Sequence, residues 1–225
     1  ELEQNLTSVN DNLKYLKKDK NTYNLFKEAI RNEEIAFTKI LEQNIDFELK
    51  TKLQKIKMLI LDVDGVFTDG AFYVNGDGKE YKKFNARDGL GIGLFKAVKM
   101  RIAIISGKHS AATTYRMNEL GITEDVYQGK FDKIESYDII RKKHGFDESE
   151  IAYIGDDIID IPILEKVGAG FTVPDASEDV KSRCCYVTKN KGGNGAVREV
   201  IDLILKAQEK YSQALEKLLG NDKEE

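Results

Sequence analysis

The most restrictive feature of this chain is a junction: the apolar run Met58-Leu59-Ile60-Leu61 climbs directly into Asp62-Val63-Asp64-Gly65. Successive side chains on a strand point to opposite faces, so Asp62 and Asp64 project the same way. Two carboxylates crowded at a strand end repel each other and resist ionisation unless a cation sits between them. A metal site or a covalent carboxylate nucleophile accounts for such a pair. Taken alone, a solvated Asp-rich turn accounts for it as well.

The surroundings narrow the choice. Apolar runs predict strands at Ile56–Leu61, Ile102–Ile105, Asp125–Tyr127, Ile151–Ile154, Gly170–Val173 and Tyr186–Thr188. Between them the pattern predicts helices at Gly89–Lys99, Ser110–Leu120, Lys133–His144, Ile161–Val167 and Glu178–Arg183, then one long helix from Ala196 to Leu219. Strands alternating with helices imply right-handed crossovers and an α/β fold, a Rossmann-like doubly wound parallel sheet. Ligands in such sheets bind beyond the carboxyl ends of the strands, which is where Asp62 and Asp64 fall. One segment interrupts the alternation. Ala71–Val74 and Glu80–Phe84 flank Asn75-Gly76-Asp77-Gly78, a turn signal that predicts a β-hairpin flap beside the site.

Three more strand ends carry chemistry. Ser106-Gly107-Lys108 offers a hydroxyl and backbone N–H groups suited to phosphate oxygens. Gln128-Gly129-Lys130-Phe131-Asp132-Lys133 offers an ammonium, from Lys133 or from its rival Lys130. Gly155-Asp156-Asp157-Ile158-Ile159-Asp160 adds a second acidic cluster, in which Asp160 is placed to cap the helix that Pro162 begins. Each is weak by itself, but all lie at ends of one parallel sheet, where they converge.

In that order the motifs resemble the haloacid dehalogenase-like phosphatases, in their capless form. With Asn85-Ala86-Arg87-Asp88-Gly89 and Gly192-Gly193-Asn194-Gly195-Ala196-Val197-Arg198-Glu199, the likeness is to the branch acting on 3-deoxy-D-manno-octulosonate 8-phosphate and on nine-carbon keto-sugar acid phosphates. It runs from about Lys55 to Gln208. The resemblance implies Asp62 as nucleophile, Asp64 as acid and base, and Ser106 and Lys133 on the phosphoryl oxygens. It implies Mg²⁺ held by Asp62, Asp64 (through its carbonyl) and Asp156, with Asp157 orienting a metal-bound water or Lys133. Substrate contacts fall to Asp64, Asn85, Ala86, Arg87, Asp88, Gly89, Lys108, Arg116 and Lys133. Two positions depart from the pattern: Gly93 stands where those enzymes carry arginine, and Ser106-Gly107-Lys108 where they have Thr-Gly-Arg. The branch implies a homotetramer in lipopolysaccharide biosynthesis. A non-catalytic assembly or regulatory subunit on the same fold is the rival reading.

Residues 1–52 differ in character, without Gly or Pro. Leu2, Leu6, Val9, Leu13 and Leu16, then Phe26, Ile30, Phe37, Ile40, Leu41 and Ile45, predict a helical extension, with a phosphatase domain over 53–225. A formal charge of −4 without a basic stripe argues against nucleic acid. No apolar run approaches the ~20 residues that span a bilayer, and no signal-like segment opens the chain. The adjacent Cys184 and Cys185 suit a reducing compartment, so a cytoplasmic enzyme without membrane partners is expected.

Overall fold

A computed structural model describes residues 47–219, of which a compact unit begins at Leu49. The helical extension predicted over residues 1–52 lies almost wholly outside the described residues.

The described chain runs β1 (Met58–Leu61), β2 (Tyr73–Val74), β3 (Glu80–Tyr81), α1 (Ala86–Ala97), β4 (Arg101–Ser106), α2 (Ala111–Glu119), β5 (Val126–Gln128) and α3 (Lys133–His144). It continues through β6 (Ile151–Ile154), α4 (Ile161–Leu164), β7 (Ala169–Thr172), α5 (Glu178–Lys181), β8 (Tyr186–Val187), α6 (Ala196–Ala207) and α7 (Tyr211–Leu218). Six strands form one parallel sheet in the order β5-β4-β1-β6-β7-β8. Strands covered on both faces need apolar residues throughout, and β1, β6 and β7 are buried at every position. The chain leaves β1 toward β4 on one side and later returns to β6 on the other. This topological switch opens a crevice at the carboxyl end of β1. Leu61 pairs with Ile104 and Ile154, so the loops after β1, β4 and β6 open on the same edge.

Local signals explain why some helices match their predicted bounds. Asp132 accepts the Ile134 N–H at the start of α3, and Gly145 closes its other end. Asn85 likewise accepts the Arg87 N–H and starts α1 three residues earlier than predicted. The predicted hairpin forms as β2 and β3, paired through only Tyr73–Tyr81 and Val74–Glu80.

The single long C-terminal helix is corrected by the structure. The chain breaks between α6 and α7, where Glu209 takes a left-handed backbone (φ 58°). The Gln208 side-chain amide donates to the carbonyls of Leu53 and Ile56 at 2.9 and 2.7 Å and anchors the break. The turn brings both helices against α1. Neither Gly nor Pro marks the spot, so local sequence carried no stop signal.

Candidate active site

The loop after β1 is shaped by close backbone packing. The Phe67 and Thr68 N–H groups both return to the Val63 carbonyl at 2.9 Å. Gly65 sits at φ +88°, and a Cβ there would lie 1.9 Å from Asp156 Oδ2. Only glycine lets the two acidic loops meet. From the other side, the Gly192-Gly193 turn presses onto the same loop, with the Gly193 N–H on the Val66 carbonyl at 2.9 Å. A Cβ at Gly192 would stand 1.8 Å from the Gly65 carbonyl oxygen. Gly192→Ala is therefore expected to cost about 1–3 kcal/mol of stability through overpacking, read as a lower urea midpoint with unchanged slope.

The carboxyl ends of β1, β4 and β6 surround a cavity of about 380 Å³ lined by Asp62, Asp64, Lys108, Lys133, Asp156 and Asp157, among others. Lys133 Nζ lies 2.8 Å from Asp62 Oδ1 and 2.7 Å from Asp160 Oδ1, all three side chains being nearly sealed from solvent. The Tyr153 hydroxyl also donates to Asp160 Oδ1. The other Asp160 oxygen accepts the N–H groups of Asp156 and Asp157 at 3.1 and 3.2 Å. Asp160 thus anchors the acidic loop and the lysine together.

This corrects one sequence reading and one of the two alternatives of another. The Asp160 side chain makes no cap bond to α4, because its oxygens are taken by Lys133, Tyr153 and the loop amides. Asp157 does not orient Lys133 either: it turns back to its own neighbour, accepting the Ile158 N–H at 2.7 Å. Tyr153 and Asp160 are the members of the network that the sequence did not reveal. The continuous apolar run of β6 was the available signal, but it cannot tell a buried phenol from an ordinary core aromatic.

Electrostatics follow from this geometry. Burial pushes the Asp62 carboxyl up to about 7, the nearby Asp160 adds to the rise, and the Lys133 ammonium opposes it. Burial, then repulsion by Asp62 and Asp160, pushes Asp156 up to about 8. Burial disfavours the Lys133 ammonium, yet the Asp62 and Asp160 carboxylates overcome that and hold its pKa above the ordinary lysine value. Carboxyls that crowd and resist ionisation define a place for a cation. Oxygens of Asp62, Asp156 and Asp160 lie within 4.8 Å of one another. Asp160 is the poorest donor of the three, since its hydrogen-bond partners already occupy it.

The other predicted residues take varied places. Ser106 is buried, its Oγ donating to the Lys108 carbonyl at 2.9 Å. Lys108 reaches the cavity rim, pairs with Glu80 and stacks 3.9 Å above the Phe72 ring. Lys130 turns outward to Glu135 at 3.4 Å. Asn85, Ala86, Arg87, Asp88, Gly89 and Arg116 do not line this cavity. Asp88 is buried and accepts the N–H groups of Gly195 and Arg198 at 3.2 and 2.8 Å, tying α1 to the start of α6. Arg116 lies against Gly89 and pairs with Glu119 at 2.6 Å. Arg87 lines a separate cavity of about 350 Å³ with Lys189, Arg198 and Lys206. Gly93 packs on Leu218 of α7, whose Cδ1 would lie 3.3 Å from an added Cβ.

A parallel sheet with an acidic pair after its first strand, a hydroxyl and a lysine at later strand ends and a closing acidic loop defines a haloacid dehalogenase-like hydrolase. The family model of that description matches residues 95–201. The chain is 42% identical over 170 residues to the 3-deoxy-D-manno-octulosonate 8-phosphate phosphatase KdsC of Escherichia coli (strain B / BL21-DE3), covering 76% of this chain and 90% of that protein. Its fold matches a putative HAD superfamily (subfamily III A) hydrolase from Legionella pneumophila with TM-score 0.78 and 41% identity, over 80% of this chain and 99% of that one. It also matches the 3-deoxy-D-manno-octulosonate 8-phosphate phosphatase of Moraxella catarrhalis, solved with a magnesium ion, a phosphate ion and KDO. That match has TM-score 0.72 and 40% identity, over 75% of this chain and 96% of that one. The chain belongs to this phosphatase group of the haloacid dehalogenase-like hydrolases, and it is a phosphoric monoester hydrolase. Among the described residues, no helix is long and apolar enough to cross a membrane.

Proposed function

We propose that the protein is a Mg²⁺-dependent phosphatase of a phosphorylated keto-sugar acid, with 3-deoxy-D-manno-octulosonate 8-phosphate the leading substrate. The observation that carries this reading is the Asp62–Lys133 contact on the floor of a cavity ringed by Asp64 and Asp156. Asp62 attacks phosphorus in line, and the phosphoryl group passes from the sugar oxygen to its carboxylate. Asp64 gives its proton to the departing sugar oxygen. Water then attacks the aspartyl-phosphate, returns a proton to Asp64 and releases inorganic phosphate. Lys133 balances charge on the phosphoryl oxygens, while the Ser106 loop and its amides bind them. Asp160 and Tyr153 hold Lys133 in place.

The donor set suits a hard divalent cation: Asp62, Asp156 and the Asp64 carbonyl would hold Mg²⁺. Bound there, Mg²⁺ supplies positive charge that lets a phosphate dianion approach three acidic residues. A thermodynamic consequence checks the site without any turnover. Asp62 and Asp156 have folded-state pKa values raised above the ordinary 3.8, so the metal-free protein loses stability as pH rises through about 7 and 8. Mg²⁺ binds the ionised pair and restores that loss. The Mg²⁺-induced rise in Tm should therefore be larger at about pH 9 than at about pH 6. A shift independent of pH would remove these carboxyls as ligands.

The substrate test is phosphate release from a panel of eight- and nine-carbon keto-sugar acid phosphates and plain sugar phosphates. Turnover of the acids alone supports this reading, and no turnover of any acid sinks it. The reading includes a homotetramer in the cytoplasm. The self-association in that reading is supported by the exposed apolar surface of the hairpin, where Phe72, Tyr73, Val74 and Tyr81 are each about half accessible or more.

A further inference from the structure

Lys82, just past β3, brings a cation from the hairpin into the site. Its side chain is fully enclosed, with Nζ 2.5 Å from Asp64 Oδ1 and 3.6 Å from Glu80 Oε1. The Phe72 ring closes another side, its centroid 5.6 Å from the ammonium. Among the described residues, Lys82 is the hydrogen-bond partner of the Asp64 carboxylate, which otherwise remains 23% exposed at the cavity edge. Enclosing an ammonium is costly unless acids replace its water. Here Asp64 and Glu80 do so, and Glu80 is in turn gripped by Lys108 from the β4 loop. The two-pair ladder between β2 and β3 is too short to hold the hairpin still on its own. These side-chain links fasten it to the loop after β1.

We propose that Lys82 is a positioning residue for the phosphatase reaction: it holds the Asp64 carboxyl on the cavity side, aimed at the oxygen that leaves phosphorus. The inference rests on the reading of Asp64 as proton donor. A partly exposed aspartate has several rotamers available. Fixing the productive one matters because a 1 Å misplacement of a catalytic group can cost about 10²-fold. The hairpin then does more than cover the site. It sets the acid.

Leaving-group dependence tests this, because kcat/KM reports steps up to phosphoryl transfer. A sugar alkoxide needs a proton to depart, whereas p-nitrophenolate does not. Lys82→Met should lower kcat/KM for 3-deoxy-D-manno-octulosonate 8-phosphate at least about tenfold more than for p-nitrophenyl phosphate. Lys82→Arg should recover part of the difference. In an Asp64→Asn background, Lys82→Met should add no further loss on the sugar acid phosphate. Equal losses on the two substrates, or losses that add in the double variant, overturn the proposal. If circular dichroism shows that Lys82→Met fails to fold, Lys82→Gln, which keeps a donor, is read by the same substrate comparison. A wild-type protein inactive on both substrates would instead overturn the functional reading on which this rests.

Discussion

Asp62→Asn is expected to lower phosphate release by at least about 10³-fold while the protein still folds. Asparagine keeps the shape of the side chain and one acceptor for the Lys133 ammonium, but it has no carboxylate to attack phosphorus. Stability should not suffer in the metal-free protein. Burial raises the Asp62 pKa, so the ionised form is disfavoured in the fold, and a neutral replacement relieves that strain as pH rises through the raised value. The measurement pairs steady-state phosphate release with acid-quench trapping of labelled phosphate on the protein. The wild type should carry a transient acid-stable, alkali-labile label and the variant none. Full activity in Asp62→Asn would remove Asp62 as nucleophile.

Lys133→Met should cost both activity and stability, and stability in a pH-dependent way. The ammonium is nearly fully buried between Asp62 and Asp160. Removing one partner of a buried ion pair leaves uncompensated charge, at a cost of about 3–5 kcal/mol. The sign with pH follows from the carboxyls that remain. Asp62 and Asp156 already resist ionisation because they are buried. Losing the opposing Lys133 charge raises them further. Below the wild-type values both proteins keep these carboxyls protonated and the deficit is smallest; above them the wild type ionises beside Lys133 while the variant still resists, so the deficit grows until the variant's own higher values are passed. Urea unfolding should therefore show a larger deficit at about pH 8 than at about pH 6. An equal deficit at both would mean that packing, not charge, explains the loss. Activity should drop by about 10²-fold or more, since charge on the transferring group loses its main-chain-independent counterpart.

The two variants separate roles that lie 2.8 Å apart. One removes a bond-forming atom and spares the fold, while the other removes the charge that lets the acids share a pocket. Asp160 joins both, because Lys133, Tyr153 and the backbone amides of the acidic loop all converge on it.

The alternation of apolar runs and helices, by itself, determined the parallel sheet, since each buried strand must be apolar on both faces and each crossover must cover the next. Chemistry at the ends of β1, β4 and β6 was equally legible, because strand ends share an edge whatever the loops do. Asp132 and Gly145 bounded α3 through capping that acts within a turn. Other decisions depended on groups far apart in the chain. The break after Gln208 is set by carbonyls of Leu53 and Ile56. The burial of Asp88 is set by amides more than one hundred residues later. Asp160 read as a helix cap, and only the fold brought Lys133 and Tyr153 to it and emptied that role. Nothing in the sequence sets Lys82 apart from Lys79 and Lys83 on the same hairpin; tertiary packing singles it out by enclosing it against Asp64. Local sequence sets backbone conformation and face; which oxygen receives which proton donor is decided by burial, where an unpaired charge is too costly to leave without a partner.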